Sequence, residues 1–220
     1  RGNMLEYKRI TVGYLQVNCY LVKCTETGKG VVIDPGADID KILLAIDKFA
    51  MEPVAVVLTH SHFDHATYAV DLRNKYSIPL LYHARELETA LDPQKNLTGM
   101  YSLESLSIKA DRLVEDGDII AFGDQALKVL FTPGHTPGSM CCYAPGVLFS
   151  GDTLFRQNVG RCDFPGGDQA ALARSIQQKL FVLPGETAVN PGHNNPTEIG
   201  FERENNYLAQ ELISQYCGQE

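Results

Sequence analysis

Hydrophobic and polar residues alternate along several short segments of the chain, and each segment ends at a turn. This alternation is typical of strands with one buried face, and it predicts strands at Leu5–Val12, Leu15–Cys24 and Gly30–Ile33. The run Val54–Leu58 is continuously apolar, which fits a strand that is buried on both faces. The same patterns predict further strands at Pro79–Tyr82, Asp118–Phe122, Ala126–Thr132, Ser139–Tyr143, Val147–Ser150 and Thr187–Asn190.

Apolar residues three and four positions apart predict helices between these strands. The first helix is expected to be capped by Asp38 and to run to about Phe49. The others are predicted from residue 66 to about Lys75, from His83 to Leu91, from a cap at Asp168 to about Leu180, and from near Thr197 to about Ser214. Residues 92–116 show neither the alternation of a strand nor the spacing of a helix, and they are predicted to form an irregular connection. Two strand-rich halves covered by helices predict an α/β fold, a four-layer αβ/βα sandwich of two mixed β-sheets with outer helices.

The composition excludes several classes of protein. The chain has 220 residues, a formal net charge of −8 and no run of Lys or Arg, which argues against a nucleic-acid partner. No apolar run exceeds five residues, so neither a membrane span nor a signal peptide is predicted. The six cysteines form no Cys-x-x-Cys pair, and reduced thiols in a cytoplasmic protein are expected.

Four chemically active residues stand together directly after the continuous apolar strand. His60, His62, Asp64 and His65 spell H-x-H-x-D-H. Neutral imidazoles and carboxylates suit zinc, iron or manganese. Four ligands within six residues cannot comfortably reach one ion. We therefore expect His60 and His62 to face one metal, and Asp64 and His65 to face a second one close by, which is the layout of a two-metal site.

Three further candidates each follow a glycine just beyond a predicted strand: His135, Asp152 and His193. One such residue alone is weak evidence, but together with the first loop they complete a metal site. Two four-coordinate ions that share a bridging carboxylate and keep positions open for water need about seven protein ligands. The predicted ligands are His60, His62, Asp64, His65, His135, Asp152 and His193.

These motifs resemble those of the metallo-β-lactamase superfamily, and more narrowly those of its glyoxalase II branch, the hydroxyacylglutathione hydrolases. The segments that carry the resemblance are Thr59–His65, Thr132–Gly138, Phe149–Phe155 and Pro191–His193. The resemblance implies one metallo-hydrolase domain over residues 1–220, without the added carboxyl-terminal helical domain of the larger members. A more open site that is less selective for glutathione is therefore expected.

The resemblance also assigns a role to each ligand. The first metal would take His60, His62 and His135, the second would take Asp64, His65 and His193, and Asp152 would bridge them. The expected cofactors are two divalent ions, zinc first, with iron or manganese as alternatives. Asp64 would also be catalytic, because its carboxylate can orient a metal-bridging hydroxide. Asp34 matches an aspartate that braces the metal loop.

The implied reaction is hydrolysis of a small anionic thioester such as S-lactoylglutathione. Arg161, in the segment Gly160–Phe164, is the candidate contact to the glutathione part, with an ion pair to Asp163 as the alternative. A competing function is a persulfide dioxygenase with one iron, held by His60 or His62 together with His135 and Asp152. A β-lactamase or lactonase is a third option. The sixth histidine, His83, is expected to be structural, and the oligomeric state stays open.

Overall fold

A computed structural model describes residues 5–101 and 104–218, and two six-stranded sheets form its centre. In spatial order the first sheet consists of β1 (Leu5–Val12), β2 (Val17–Cys24), β3 (Lys29–Ile33), β4 (Glu52–Val57), β5 (Leu80–His83) and β6 (Arg112–Val114). Strands β1 to β3 pair antiparallel, whereas β3 to β6 pair parallel. The first sheet is therefore mixed.

The second sheet is formed by the carboxyl-terminal half of the chain. Its strands are β7 (Ile119–Phe122), β8 (Gln125–Phe131), β9 (Met140–Ala144), β10 (Val147–Gly151), β13 (Ala188–Pro191) and β14 (Thr197–Glu198). They lie in the spatial order β14-β13-β10-β9-β8-β7. Only β10 and β13 pair parallel in this sheet. A separate hairpin pairs β11 (Leu154–Phe155) with β12 (Asn158–Val159).

Helices and turns connect these strands. The helices are α1 (Ile39–Lys48), α2 (Phe63–Ala66), α3 (Ala69–Tyr76), α4 (Leu87–Leu91), α5 (Thr98–Tyr101), α6 (Gln169–Ser175), α7 (Ile199–Asn205) and α8 (Tyr207–Cys217). A 3₁₀ turn at Ala84–Glu86 precedes α4, and a π-helical segment at Ile176–Leu180 continues α6. Within the two described ranges, no helix is both long enough and apolar enough to cross a membrane.

Alternating side chains distribute the core over both faces of each sheet. Val31 and Ile33 pack toward the second sheet, whereas Val32, between them, packs with Ile42 and Ile46 of α1. The adjacent residues Cys141 and Cys142 likewise belong to two different clusters. The outer face of the second sheet is covered by the π-helical segment and α7. Helix, sheet, sheet and helix therefore form four layers, which confirms the predicted fold.

Several local expectations need correction. Asp38 does not cap α1 through its side chain, because the residue has a φ of 50° and its Oδ2 accepts from Gly13 N instead. Residues 92–116 contain α5 and the three-residue strand β6, which is too short to show a period. The last predicted helix is two helices that separate at Asn206, whose side chain caps α8. The cap predicted at Asp168 is present.

Candidate metal centre

The predicted ligands lie in loops at one edge of the sandwich. Strands β8, β10 and β13 run in the same direction, so their carboxyl ends share an edge. His135, Asp152 and His193 follow these ends within four residues. The remaining ligands follow β4 of the first sheet, with Asp64 and His65 in the short helix α2. Both sheets thus contribute to the same site.

The seven residues form two groups that meet at one carboxylate. Ligand atoms of His60, His62 and His135 lie within 4.8 Å of one another, as do those of Asp64, His65 and His193. Asp152 lies between the groups: its carboxylate oxygens are 3.3 Å from His65 Nε2 and 3.6 Å from His135 Nε2. The structure therefore brings all seven predicted ligands together, and ligand atoms of His60, His65 and Asp152 also lie within 4.8 Å of one another.

The donor atoms fit metal ions better than they fit one another. The Nε2 atoms of His60 and His62 are buried and have no hydrogen-bond partner among the described residues. His62 Nδ1 and His135 Nε2 are 3.0 Å apart, and His65 Nε2 and His193 Nε2 are 3.3 Å apart. Buried polar atoms normally have a partner. Because imidazole nitrogens and carboxylates are the ligands that zinc and iron prefer, the cluster suits divalent metals.

Hydrogen bonds on the far side of the rings orient three of these histidines. His65 Nδ1 is 2.9 Å from Asp34 Oδ2, His135 Nδ1 is 2.7 Å from the Arg161 carbonyl, and His193 Nδ1 is 3.1 Å from the Leu15 carbonyl. Each Nδ1–H therefore donates outward, and each Nε2 atom points into the cluster. Asp34 also accepts from the backbone and hydroxyl of Thr59, so it braces the first metal loop as expected.

The two groups differ in their protonation. Burial lowers the pKa of His60 and of His135, and it lowers the pKa of His62 to about 3. Burial also opposes the charged form of His65 and His193, but nearby Asp64 and Asp152 raise both pKa values above normal. The three-histidine group is therefore neutral, whereas the other group pairs imidazolium with carboxylate until a metal replaces the protons.

Two glycines are required by close approach at the centre. A Cβ on Gly192 would lie 2.2 Å from Asp152 Oδ1 and 2.6 Å from His65 Cε1. A Cβ on Gly36 would lie 1.3 Å from the carbonyl oxygen of Asp64. Both positions therefore exclude any side chain.

Most of the chain matches the model of one protein family. The model of the metallo-beta-lactamase superfamily matches residues 12–193, a span that contains all seven predicted ligands. The chain belongs to this superfamily. The resemblance noted from the motifs is confirmed at the level of the superfamily.

Named relatives of similar length include hydrolases. The "Probable metallo-hydrolase YqgX" of Bacillus subtilis is 36% identical over 205 residues, which cover 92% of this chain and 96% of that protein. The "Hydroxyacylglutathione hydrolase GloC" of Haemophilus influenzae is 30% identical over 203 residues, which cover 90% and 94%.

Three solved structures are similar to this chain over most of its length. The BLEG-1 B3 metallo-beta-lactamase is 35% identical with a TM-score of 0.86, covering 93% of this chain and 99% of its own. TTHA1623, in a di-iron-bound form, is 36% identical with a TM-score of 0.81, covering 91% and 99%. ETHE1 from Myxococcus xanthus is 26% identical with a TM-score of 0.79, covering 97% and 90%.

One buried carboxylate that the sequence reasoning missed connects two of the metal loops of this superfamily member. Glu86 Oε1 accepts from Ser61 N at 2.8 Å and from Ser61 Oγ at 2.7 Å. Its Oε2 accepts from Thr136 Oγ1 at 2.7 Å and from Gly138 N at 3.0 Å. Ser61 lies between His60 and His62, and Thr136 follows His135. Glu86 stands in a helical turn with no motif around it, so no local signal marks it.

Residues of strand β2 hold the loop that carries His193. The Asn18 amide donates to the carbonyls of Pro191 and Asn194, and the Tyr20 hydroxyl donates to Pro191. Asn18 N also bonds the Gly192 carbonyl at 2.7 Å. The first sheet therefore fixes the loop of His193, which belongs to the second sheet.

A cavity of about 690 Å³ opens over the metal ligands, and Arg161 is one of the residues that line it. Its guanidinium donates to both carboxylate oxygens of Asp163, at 2.6 and 2.5 Å. The guanidinium carbon also lies 4.2 Å from the centre of the Phe164 ring. Arg161 therefore lines the cavity, and its charge is paired with Asp163, which is the alternative stated above.

His83 lies outside the centre. Its ring is buried and stacks on Phe131 with centroids 4.0 Å apart, and its Nδ1 accepts from Arg85 N. These contacts are structural, in agreement with the expectation.

Proposed function

We propose that this chain is a cytoplasmic binuclear metallo-hydrolase of small anionic thioesters, with S-lactoylglutathione as the model substrate. The observation that carries the proposal is the pair of three-residue groups joined by Asp152 at the floor of an open cavity. Two divalent ions, zinc in the first place, would supply a hydroxide nucleophile at neutral pH and a Lewis acid for the thioester carbonyl.

The residues around the ions define the remaining steps. Asp64 is 14% exposed at the cavity floor, and its Oδ2 lies 3.2 Å from His193 Nε2. Burial opposes ionisation, but His65 and His193 hold the pKa of Asp64 below its usual range. The ionised carboxylate can accept a hydrogen bond from the attacking hydroxide and direct its lone pair toward the carbonyl carbon. The attack forms the new C–O bond, the C–S bond breaks to release the thiolate, and the carboxylic acid product gives its proton to the thiolate or to solvent.

The leaving group explains why a thioester suits this site. A thiol has a pKa near 8.5, so the sulfur can leave as a thiolate without a proton donor. An amide nitrogen needs protonation before it leaves. Asp64 and the ligand histidines are committed to the ions, and the other described residues lining the cavity are mostly aromatic, aliphatic or amide. Charge also favours an anionic substrate, because two divalent ions would outweigh the negative charges of Asp64 and Asp152.

The relatives add independent support. GloC of Haemophilus influenzae is named a hydroxyacylglutathione hydrolase, and YqgX of Bacillus subtilis a probable metallo-hydrolase. TTHA1623 is described in a di-iron-bound form, which supports a two-metal site and keeps iron open as the metal.

The test combines metal analysis with a thioester assay. Freshly purified protein should contain two metal ions per chain and hydrolyse S-lactoylglutathione. Asp152→Asn should lose metal and activity together, because both metal positions share this carboxylate. Asp71→Asn, an exposed change on α3, is the matched control and should change neither. Full metal content and full rate in Asp152→Asn would contradict the binuclear proposal.

A second candidate is a mononuclear iron persulfide dioxygenase. The structural similarity to ETHE1 supports it, and the segment Gly160–Phe164 lies beside the cavity through Arg161 and Phe164. One equivalent of iron, with oxygen uptake on glutathione persulfide, would favour this function and overturn the hydrolase. Two metals without oxygen uptake would exclude it.

A further inference from the structure

The wall of the cavity differs in character from its floor. Metal ligands form the floor, whereas most of the described wall residues are apolar or aromatic. The wall residues used in the argument below are Phe63, Leu97, Tyr101, Phe155, Val159 and Phe164. A substrate that reaches the metals must therefore lie along apolar surface.

The aromatic part of this wall is fixed to the metal loop. Phe63 lies between the ligands His62 and Asp64, and its backbone N–H donates to the Asn96 carbonyl at 2.9 Å. Its ring stacks on Tyr101 with centroids 5.3 Å apart and planes at 15°. Phe164 meets the ring of His62 edge to face at 5.5 Å. Because the Phe164 ring contacts His62 and Phe63 lies between two predicted ligands, a group next to the thioester carbonyl would lie close to these rings.

The positive charge of Arg161 on the cavity wall is neutralised by an ion pair with Asp163. Arg161 is the one cationic residue among the described residues that line the cavity. Its guanidinium is held by Asp163 on one side and by the Phe164 ring on the other. The hydrogen bond from Arg161 lowers the pKa of Asp163 to about 2, so Asp163 remains ionised at any working pH. The pair leaves the wall without an uncompensated cation for the two carboxylates of a glutathione carrier, so only ions at the cavity floor would attract negative charge.

We infer that this site selects its thioester by an apolar, preferably aromatic, acyl group, and that it makes little use of the charged glutathione carrier. The inference rests on the proposed function, because it names the substrate class of the same site. Its basis is the aromatic wall beside the metal ligands combined with the paired charge of Arg161. Burial of a phenyl ring against such a wall is worth enough to change kcat/KM by about tenfold or more.

Four thioesters separate the effect of the acyl group on kcat/KM from the effect of the carrier. Lactoyl and mandeloyl groups differ by a methyl and a phenyl, and each can be joined to glutathione or to uncharged N-acetylcysteamine. Each kcat/KM of the metal-loaded protein is divided by the rate of hydrolysis in hydroxide alone, which removes intrinsic reactivity. We expect mandeloyl to exceed lactoyl by about tenfold or more on both carriers. The two carriers should differ by less than about threefold for either acyl group.

Three variants test which residues of the cavity wall determine the preference for the acyl group and for the carrier. Tyr101→Ala should reduce the mandeloyl preference by about threefold or more while leaving metal content unchanged. Tyr207→Ala, which removes another exposed tyrosine at the start of α8 and outside the cavity, is the matched control and should change nothing. Asp163→Asn frees the Arg161 guanidinium and should lower KM for both glutathione thioesters without changing KM for the N-acetylcysteamine pair.

A second readout does not depend on turnover. Binding of a non-hydrolysable phenacyl thioether of N-acetylcysteamine should show a negative heat-capacity change, which Tyr101→Ala makes smaller. Equal rates for lactoyl and mandeloyl would overturn the inference and leave the hydrolase proposal standing. So would a strong glutathione preference that disappears in Arg161→Ala. If the two-metal protein hydrolyses none of the four thioesters, the proposed function fails and the inference fails with it.

Discussion

Glu86 offers the sharpest test of how the fold positions the metal centre. The carboxylate is buried and accepts four hydrogen bonds, two from Ser61 and two from the segment Thr136–Gly138. Burial raises its pKa, and the four donors oppose that rise. Since all four partners can donate, the pattern fits an ionised carboxylate. Replacing it with a neutral amide therefore tests both its charge and its acceptor capacity.

The loss of stability expected for Glu86→Gln follows from the geometry of these four hydrogen bonds. In Glu86→Gln one end of the side chain becomes an NH₂ group and faces two donors. The hydroxyl at that end can rotate to accept, but the backbone N–H of Ser61 or Gly138 cannot, so one buried donor loses its partner. Such a loss costs about 1–3 kcal/mol, and the loss of charge-assisted bonds adds to it. We expect Glu86→Gln to lower the free energy of unfolding of the metal-free protein by about 2–3 kcal/mol.

Metal affinity decides whether the role of Glu86 goes beyond stability. Glu86 holds the segments on both sides of the three-histidine group, so its loss should weaken that metal position by about tenfold or more. The Asp64, His65 and His193 position should change less. Competition titration with a chromophoric chelator measures both affinities, and urea unfolding measures stability. Glu88→Gln is the matched control, because Glu88 is exposed and pairs with Lys95 on the surface. Unchanged metal affinity in a Glu86→Gln protein that unfolds more easily would refute the positioning role.

Three other predictions concern the same centre. Asp34→Asn replaces the carboxylate that faces His65 Nδ1, and it should lower affinity at the second metal position about 10–100-fold by calorimetry. Gly192→Ala should empty the centre while the circular dichroism spectrum stays native, because its Cβ would lie 2.2 Å from Asp152 Oδ1; full metal occupancy would contradict this. The raised pKa values of His65 and His193 mean that protons compete with metal there. Between pH 8 and pH 6, affinity should therefore fall more at this position than at the neutral three-histidine position, and equal slopes in chelator titrations would disprove it.

The fold and the ligand set were accessible from the sequence because both are recorded in local patterns. A strand such as Leu5–Val12 shows its period within eight residues, and the structure gives it the same bounds. The H-x-H-x-D-H motif places four ligands on one short loop, and each remaining ligand directly follows a glycine at a strand end. A two-residue strand such as β14, or the break at Asn206, leaves no comparable period.

Residues that act across the fold could not be found in this way. Glu86 is separated by 25 positions from Ser61 and by 50 from Thr136. Asn18 contacts the Pro191 carbonyl across 173 positions. Each of these residues stands in an ordinary strand or turn sequence, and its role comes from a segment that is distant along the chain and packs against it. Such residues carry no chemistry of their own, so no motif identifies them.

Arg161 shows that predictions of substrate specificity are also limited when the partners of a side chain are known only from the fold. The resemblance to the glyoxalase II branch implied a contact between Arg161 and the glutathione part of the substrate, and the guanidinium does line the cavity. Whether a cation can bind a substrate depends on what already holds it, and Asp163 and Phe164 hold this one. The nearby residues Asp163 and Phe164 are visible in the sequence, yet only the folded loop shows that both engage the guanidinium. Carrier recognition by Arg161 would therefore require the ion pair to open, and the Asp163→Asn variant measures whether that step limits the use of glutathione thioesters.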